Sequence, residues 1–86
     1  MSFYMITEGT SQISHVYIGK TEEEVVAAAR ELINQWHEYA LLSDEEIIEL
    51  TKSESMEFDL VEIHAPWPGN NCSNEKLIAL YQQQQT

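Results

Sequence analysis

The amino-acid sequence predicts an α+β fold: a small single domain with a three-stranded, mainly antiparallel sheet, one long helix packed across it and two shorter helices. Three short runs rich in aromatic and β-branched residues are interleaved with three stretches of helical apolar spacing, in the order β-β-α-α-β-α. At 86 residues, the chain is long enough for one core and too short for two. Residues 1–86 are therefore expected to form one domain, with residues 82–86 as a frayed C-terminal tail.

The first two strands are expected to form an antiparallel hairpin. Residues 3–7 are mostly aromatic or branched, residues 8–11 contain a glycine suited to a turn, and residues 13–18 alternate between two faces. A third strand is predicted over residues 58–65. Its apolar residues do not alternate, which indicates either that both faces are covered or that the strand carries a bulge. The order of the strands in the sheet does not follow from the sequence.

The long helix is predicted over residues 22–39, because apolar residues recur there at helical spacing. Thr21 and Glu24 have the spacing of a capping box, in which the threonine oxygen accepts a hydrogen bond from a helical N–H and the glutamate reaches back to the cap. This pattern indicates that the helix begins directly after Thr21.

Two shorter helices are expected later in the chain. Ser43 and Glu46 repeat the capping-box spacing before a helix over about residues 44–52. Ser73 is expected to cap a final helix over about residues 74–83. This last helix would close a sheet edge or pack beside the long helix.

Negative charge is the strongest signal in the composition. Fifteen Asp and Glu residues stand against four Lys and Arg residues, which gives a formal net charge of −11. Such a surface would repel nucleic-acid phosphates and anionic lipids, so we expect neither direct nucleic-acid binding nor membrane docking. Apolar runs are too short to span a bilayer, and the single cysteine cannot form an internal disulfide, so we expect a cytoplasmic protein.

Catalytic and metal-binding chemistry have little support in the sequence. His64 and Cys72, with His15 as a third candidate, could supply metal ligands, but the close ligand pairs of structural zinc sites are absent. The spacing of His64 and Cys72 also matches no nucleophile motif. We therefore expect a non-enzymatic protein that needs no cofactor or metal, and a small metal-binding domain is kept as the second alternative.

The acidic residues provide the main candidate for a binding surface. Glu24, Glu31 and Glu38 are seven residues apart, so on one helix they form a stripe with steps of about 10.5 Å. Glu45 and Glu49 lie one turn apart on the next helix. These carboxylates have few bases to pair with, and their repulsion costs stability that a positively charged partner would offset. A solvated face kept for solubility is the competing explanation.

Trp67 is the second candidate for partner binding. It lies between two prolines in a loop, where no strand or helix pattern requires a tryptophan. It could anchor an interface, or it could fold back as a lid on the core. Trp36 falls on the apolar stripe of the long helix and is expected in the core.

The leading hypothesis is a non-enzymatic acidic protein that docks on the basic, nucleic-acid-binding surface of a larger protein and blocks it. In size, charge and simplicity the chain resembles phage-encoded inhibitors of host nucleases, such as anti-CRISPR and anti-restriction proteins; no motif carries this resemblance. The alternative is a small regulatory or accessory subunit that binds through the Trp67 loop and a sheet edge.

Overall fold

A computed structural model describes residues 1–8, 15–53, 58–69 and 72–85 of the chain. Within these residues the elements are β1 (Phe3–Glu8), β2 (His15–Gly19), α1 (Glu22–Ala28), α2 (Arg30–Ile33), α3 (His37–Ala40), α4 (Asp44–Ser53), β3 (Phe58–Ile63) and α5 (Asn74–Gln85). The fold class is α+β, and the strands and helices follow in an order consistent with the prediction. The predicted turn at residues 9–11 and the predicted strand start at residues 13–14 lie outside the described residues.

The sheet has the strand order β2-β1-β3, so the first strand lies at its centre. The predicted hairpin is confirmed, since β1 and β2 pair antiparallel with Tyr4 opposite Gly19. β3 pairs antiparallel with the other side of β1, in an unbroken register that begins with Phe3 opposite Ile63. This register excludes a bulge in the described part of β3. Its apolar residues fail to alternate because both faces of the sheet are covered.

Helices cover both faces of the sheet, which gives three layers. The helices α1, α2 and α4 lie on one face, where the core cluster consists of Ile6, Val25, Val26, Ala29, Ile33, Ile47, Ile48 and Phe58. The helix α5 lies on the other face, where the second cluster consists of Phe3, Met5, Ile63 and Leu77. The final helix therefore does not pack beside the long helix, and it covers a face of the sheet, with only its C-terminal end at a sheet edge. Successive side chains of β1 point to opposite faces, and the second apolar face also has to be shielded from water.

The helix predicted over residues 22–39 is shorter than expected. Backbone hydrogen bonds of the helical type cross the junction at Ala29, so α2 continues α1. Trp36 then has extended dihedral angles (φ −98°, ψ 115°), and α3 is a separate short turn. After this break, the rings of Trp36 and Tyr39 pack on Phe58, with centroids 5.9 and 6.0 Å away. Trp36 is thus a partly buried core residue, as predicted.

The predicted capping box at Ser43 is complete, and the one at Thr21 is formed in part, because the Glu24 carboxylate bonds the N–H of Lys20 in place of that of Thr21. The backbone N–H of Glu24 donates to Thr21 Oγ1 at 3.1 Å, and the Glu24 carboxylate accepts a hydrogen bond from Lys20 N at 2.9 Å. At the start of α4, Ser43 N donates to Glu46 Oε1 at 3.0 Å, and Glu46 N donates to Ser43 Oγ at 3.2 Å. The local sequence therefore determines where α1 and α4 begin.

The end of α5 contacts the outer edge of β3. The helix continues through Gln85, and the side-chain amide of Gln84 accepts a hydrogen bond from His64 N at 2.7 Å and donates one to Glu62 O. These two bonds resemble those that the backbone of a parallel strand would make to this edge. The fraying of residues 82–86 stays a prediction, and Thr86 lies outside the described residues.

Gly19 allows α1 to approach the end of β2. A Cβ atom at this position would lie 2.4 Å from Val25 N, which cannot move without moving α1. We expect Gly19→Ala to lower the free energy of unfolding by about 1–3 kcal/mol, the usual effect of overpacking. Urea denaturation measures this loss. Ala27→Ser adds one heavy atom on the exposed side of α1 and should cost about 0.5 kcal/mol; equal losses in both variants would contradict the close approach.

Candidate functional site

The packing of α1 beside α4 brings glutamates from two helices around one groove. Capping boxes start both helices, and acidic residues fill the first turn of each, where the helix dipole favours anions. We call this groove the acidic groove; it has a volume of about 300 Å³ and is lined by Glu22, Glu23, Glu45, Ile48, Glu49 and Lys52. Four carboxylates therefore share this lining with one ammonium group.

Lys52 pairs with only one of these carboxylates. Its Nζ lies 3.5 Å from Glu22 Oε2, and its side chain is 57 % exposed, so water screens the attraction. Glu23, Glu45 and Glu49 are exposed at the same groove. The carboxylates around the groove repel one another. The groove is therefore strongly negative and suited to a cation.

A second groove runs along α4. We call it the leucine groove; it has a volume of about 610 Å³ and is lined by Leu42, Ser43, Glu45, Glu46, Glu49, Leu50 and Ser53. Glu45 and Glu49 line both grooves. Residues four apart lie above one another on a helix, so these two side chains project from the same side of α4. These two glutamates therefore form a ridge between the acidic groove and the leucine groove.

Glu46 is held in its charged form at the rim of the leucine groove. Its carboxylate accepts a hydrogen bond from Ser43 N at 3.0 Å. This backbone bond, and then the Ser43 side chain, lower the pKa of Glu46 below its ordinary value of 4.5, and burial opposes them only weakly. The negative charge of Glu46 therefore persists into mildly acidic solution.

Arg30 fixes the start of α4, and with it both grooves. Its guanidinium donates hydrogen bonds to Tyr39 O at 3.5 Å and to Leu42 O, and its Nε lies 3.3 Å from Asp44 Oδ1. The Arg30 side chain is only 26 % exposed. These contacts tie the segment between α3 and α4 to α2, so Arg30 helps to hold the start of α4 in place.

The acidic residues predicted for partner binding lie in two different parts of the surface. Glu45 and Glu49 lie on the ridge between the two grooves. The evenly spaced stripe expected for Glu24, Glu31 and Glu38 is wrong, because the helix ends between Glu31 and Glu38. All three are exposed, and none of them lines either groove. A partner-binding role for these three residues stays a prediction.

Glu22 and Glu23 belong to the acidic groove but were not among the predicted site residues. The capping box at Thr21 did place them in the first turn of α1. No pattern in the sequence indicates that this turn lies next to α4, because the two helices are brought together by contacts between residues far apart in the chain.

Trp67 covers the sheet face opposite to α1 and α4. Its ring packs edge-on against Phe3, with centroids 5.9 Å apart at 90°, and Lys20 Nζ lies 5.5 Å from the centre of the ring. The structure thus shows the lid arrangement, with Trp67 half-buried against the second core cluster. A role for Trp67 in binding a partner stays a prediction.

The histidines and the cysteine do not form a metal centre in the described part of the chain. Across residues 1–8, 15–53, 58–69 and 72–85, no three side chains of His, Cys, Asp or Glu are grouped as metal ligands. His15 Nδ1 instead lies 2.7 Å from Glu8 Oε1, and Cys72 packs against the second core cluster. In the same ranges, no helix has the length and apolar character needed to cross a bilayer.

Comparison of the chain with known protein families, with curated proteins and with solved structures finds no match.

The contacts of Arg30 predict that its removal lowers the free energy of unfolding more than removal of Lys52 does. Arg30→Gln and Lys52→Gln each change the net charge from −11 to −12. We expect Arg30→Gln to lower the free energy of unfolding by about 1.5–3 kcal/mol, because hydrogen bonds from a charged, half-buried donor are lost. Lys52→Gln should cost no more than about 1 kcal/mol, because its ion pair is exposed. Urea denaturation compares the two, and equal losses would show that net charge alone decides the effect.

The lowered pKa of Glu46 predicts a stability difference that depends on pH. The hydrogen bonds favour the charged form in the folded state, so their contribution is present above pH 4.5 and is lost as the pH falls through the lower folded-state pKa. Glu46→Gln cannot ionise, so it should be less stable than wild type near neutral pH, and this difference should shrink in acid. Urea denaturation of both proteins from about pH 7 to about pH 3 measures it. A difference that stays constant would contradict a contribution from the charge.

Proposed function

We propose that this protein is a non-enzymatic binding protein whose acidic groove docks on a basic surface of a larger protein. The observation that carries the proposal is the convergence of Glu22, Glu23, Glu45 and Glu49, from two helices, around one groove. Glu23, Glu45 and Glu49 are exposed and Glu22 is partly exposed, and none of the four belongs to a core cluster, so packing in the core does not require carboxylates there. Lysine and arginine side chains of a partner are the groups that complement such a groove.

The carboxylates of the acidic groove repel one another in the free protein. Glu45 and Glu49 are one helical turn apart, and like charges at this spacing destabilise a helix by about 0.2–0.5 kcal/mol. The glutamates of α1 add to this repulsion from across the groove. A basic partner would replace the repulsion with attraction, and it would gain more when water leaves the interface. This exchange is a physical reason to keep the carboxylates together.

A nucleic-acid-binding surface is the class of partner that fits best. Such surfaces carry clustered Lys and Arg side chains that neutralise phosphates. The net charge of −11 would steer the protein towards them, and association would be fastest at low salt. Once docked, the protein would exclude the nucleic acid from the same side chains. This competition is how a small inhibitor of a nuclease would act, in keeping with the resemblance to anti-CRISPR and anti-restriction proteins.

Docking through the Trp67 loop and a sheet edge receives less support. The Trp67 ring already contacts Phe3 and Lys20 within the chain. At the outer edge of β3, the amide of Gln84 already bonds the backbone at Glu62 and His64. A partner would have to displace these contacts before it could bind there.

Two charge-reversal variants with the same net charge test the proposal. Glu45→Lys with Glu49→Lys changes the ridge, and Glu31→Lys with Glu38→Lys changes exposed glutamates away from it; each pair shifts the net charge from −11 to −7. The partner is first captured from an extract of the native host with the wild-type protein and identified. Calorimetry then measures its affinity for each variant.

We expect the ridge variant to bind about ten- to a hundredfold more weakly, because close charge pairs become repulsive. The control variant should lose much less, and wild-type affinity should fall steeply between low and moderate salt. Circular dichroism checks that both variants fold. Equal affinities for the wild type and the ridge variant, with a partner that is insensitive to salt, would contradict docking by the acidic groove.

A further inference from the structure

The leucine groove combines apolar side chains with a negative rim. Building on the basic-surface docking proposed above, we propose that this groove binds an amphipathic helix of the partner. The apolar side of that helix packs on Leu42 and Leu50, and its Lys or Arg side chains meet Glu45, Glu46 and Glu49. The partner segment is thus a basic amphipathic helix and not a flat surface that carries only Lys and Arg side chains.

The apolar part of the groove exceeds what the core requires. Within α4, Ile47 and Ile48 are the buried side chains that join the core cluster. Leu50 is half-buried but belongs to neither core cluster of the described residues. Leu42 is also half-buried, and it packs against the first core cluster. Partly exposed apolar side chains with a polar rim are typical of a protein-interaction site.

The charge of the rim decides between possible occupants. Among the described residues that line the leucine groove, three are glutamates and none is a cation. A second copy of this chain would bring a further net charge of −11 towards them, which opposes self-association. A segment that carries both leucine-like and cationic side chains is complementary to the whole lining. Charge complementarity therefore favours a basic partner.

The shape of the groove favours a helix over an extended peptide. The groove follows α4 from Ser43 to Ser53, a rise of about 15 Å, which about ten residues of a neighbouring helix would cover. An extended peptide gains most of its affinity from backbone bonds to a free strand edge. The lining consists of residues of α4 and the two before it, with no strand among them. A helix satisfies its own backbone and can pack by side chains alone.

A pair of synthetic peptides tests this inference. The probe is a fluorescein-labelled helix of about sixteen residues, with leucines on one face and arginines flanking them. The control peptide has the same composition in an order that scatters the leucines, so its charge is identical. Fluorescence anisotropy at moderate salt should show the ordered peptide binding at least about tenfold more tightly.

Variants of the groove identify where the ordered peptide binds. Leu50→Ser should remove most of the tenfold preference, whereas Leu41→Ser alters an exposed leucine outside the lining and should keep it. Ser53→Lys places a cation in the groove at an exposed helix end, where it leaves the core untouched, and should also weaken binding. Circular dichroism confirms folding in each case.

The outcomes separate this inference from the proposed function. One outcome would overturn the helix site and leave acidic docking in place. In that outcome both peptides bind equally, Leu50→Ser and Ser53→Lys leave binding unchanged, and charge reversal at Glu45 and Glu49 abolishes it. Binding of neither peptide, even at low salt, would overturn both. A preference for the ordered peptide that depends on Leu50 and on the ridge glutamates would support both.

Discussion

The fold depends on the burial of β1 on both of its faces. β1 is paired on both edges, and the side chains of Phe3 and Met5 are fully buried on one face while that of Ile6 is fully buried on the other. Each such side chain contributes about 1.5–3 kcal/mol when it leaves water, so neither face can remain open. A chain of 86 residues must therefore cover two faces with few helices. α1, α2 and α4 share one face, and α5 covers the other.

This shared face is what concentrates the negative charge. A helix gains stability from anions in its first turn, and both α1 and α4 follow that rule. Their packing side by side turns two separate local preferences into one acidic groove. Arg30 of α2 then bonds the carbonyl oxygens of Tyr39 and Leu42 and pairs with Asp44, which helps to hold the start of α4 in place. A surface that joins such charge to half-buried leucines can combine fast, salt-dependent association with the selectivity of apolar packing.

The features that were predicted well are those with a local cause. The capping boxes at Thr21 and Ser43 need only side chains three residues away, and the hairpin needs only two neighbouring strands. The continuous helix over residues 22–39 was wrong beyond α2. Its apolar spacing is regular, but the chain leaves the helix at Trp36, and the rings of Trp36 and Tyr39 pack on Phe58. Periodicity alone carries no information about that distant ring.

The same distinction holds for the candidate site. The sequence by itself determined the fold class, the net charge, the starts of α1 and α4, and the pair Glu45 and Glu49 one turn apart, because each depends on composition or on neighbouring residues. Only the tertiary structure decided the strand order, the face that α5 covers, and the meeting of Glu22 and Glu23 with that pair. These depend on contacts between residues that are far apart in the chain, where the balance of burial over the whole core, and no local spacing, selects the arrangement.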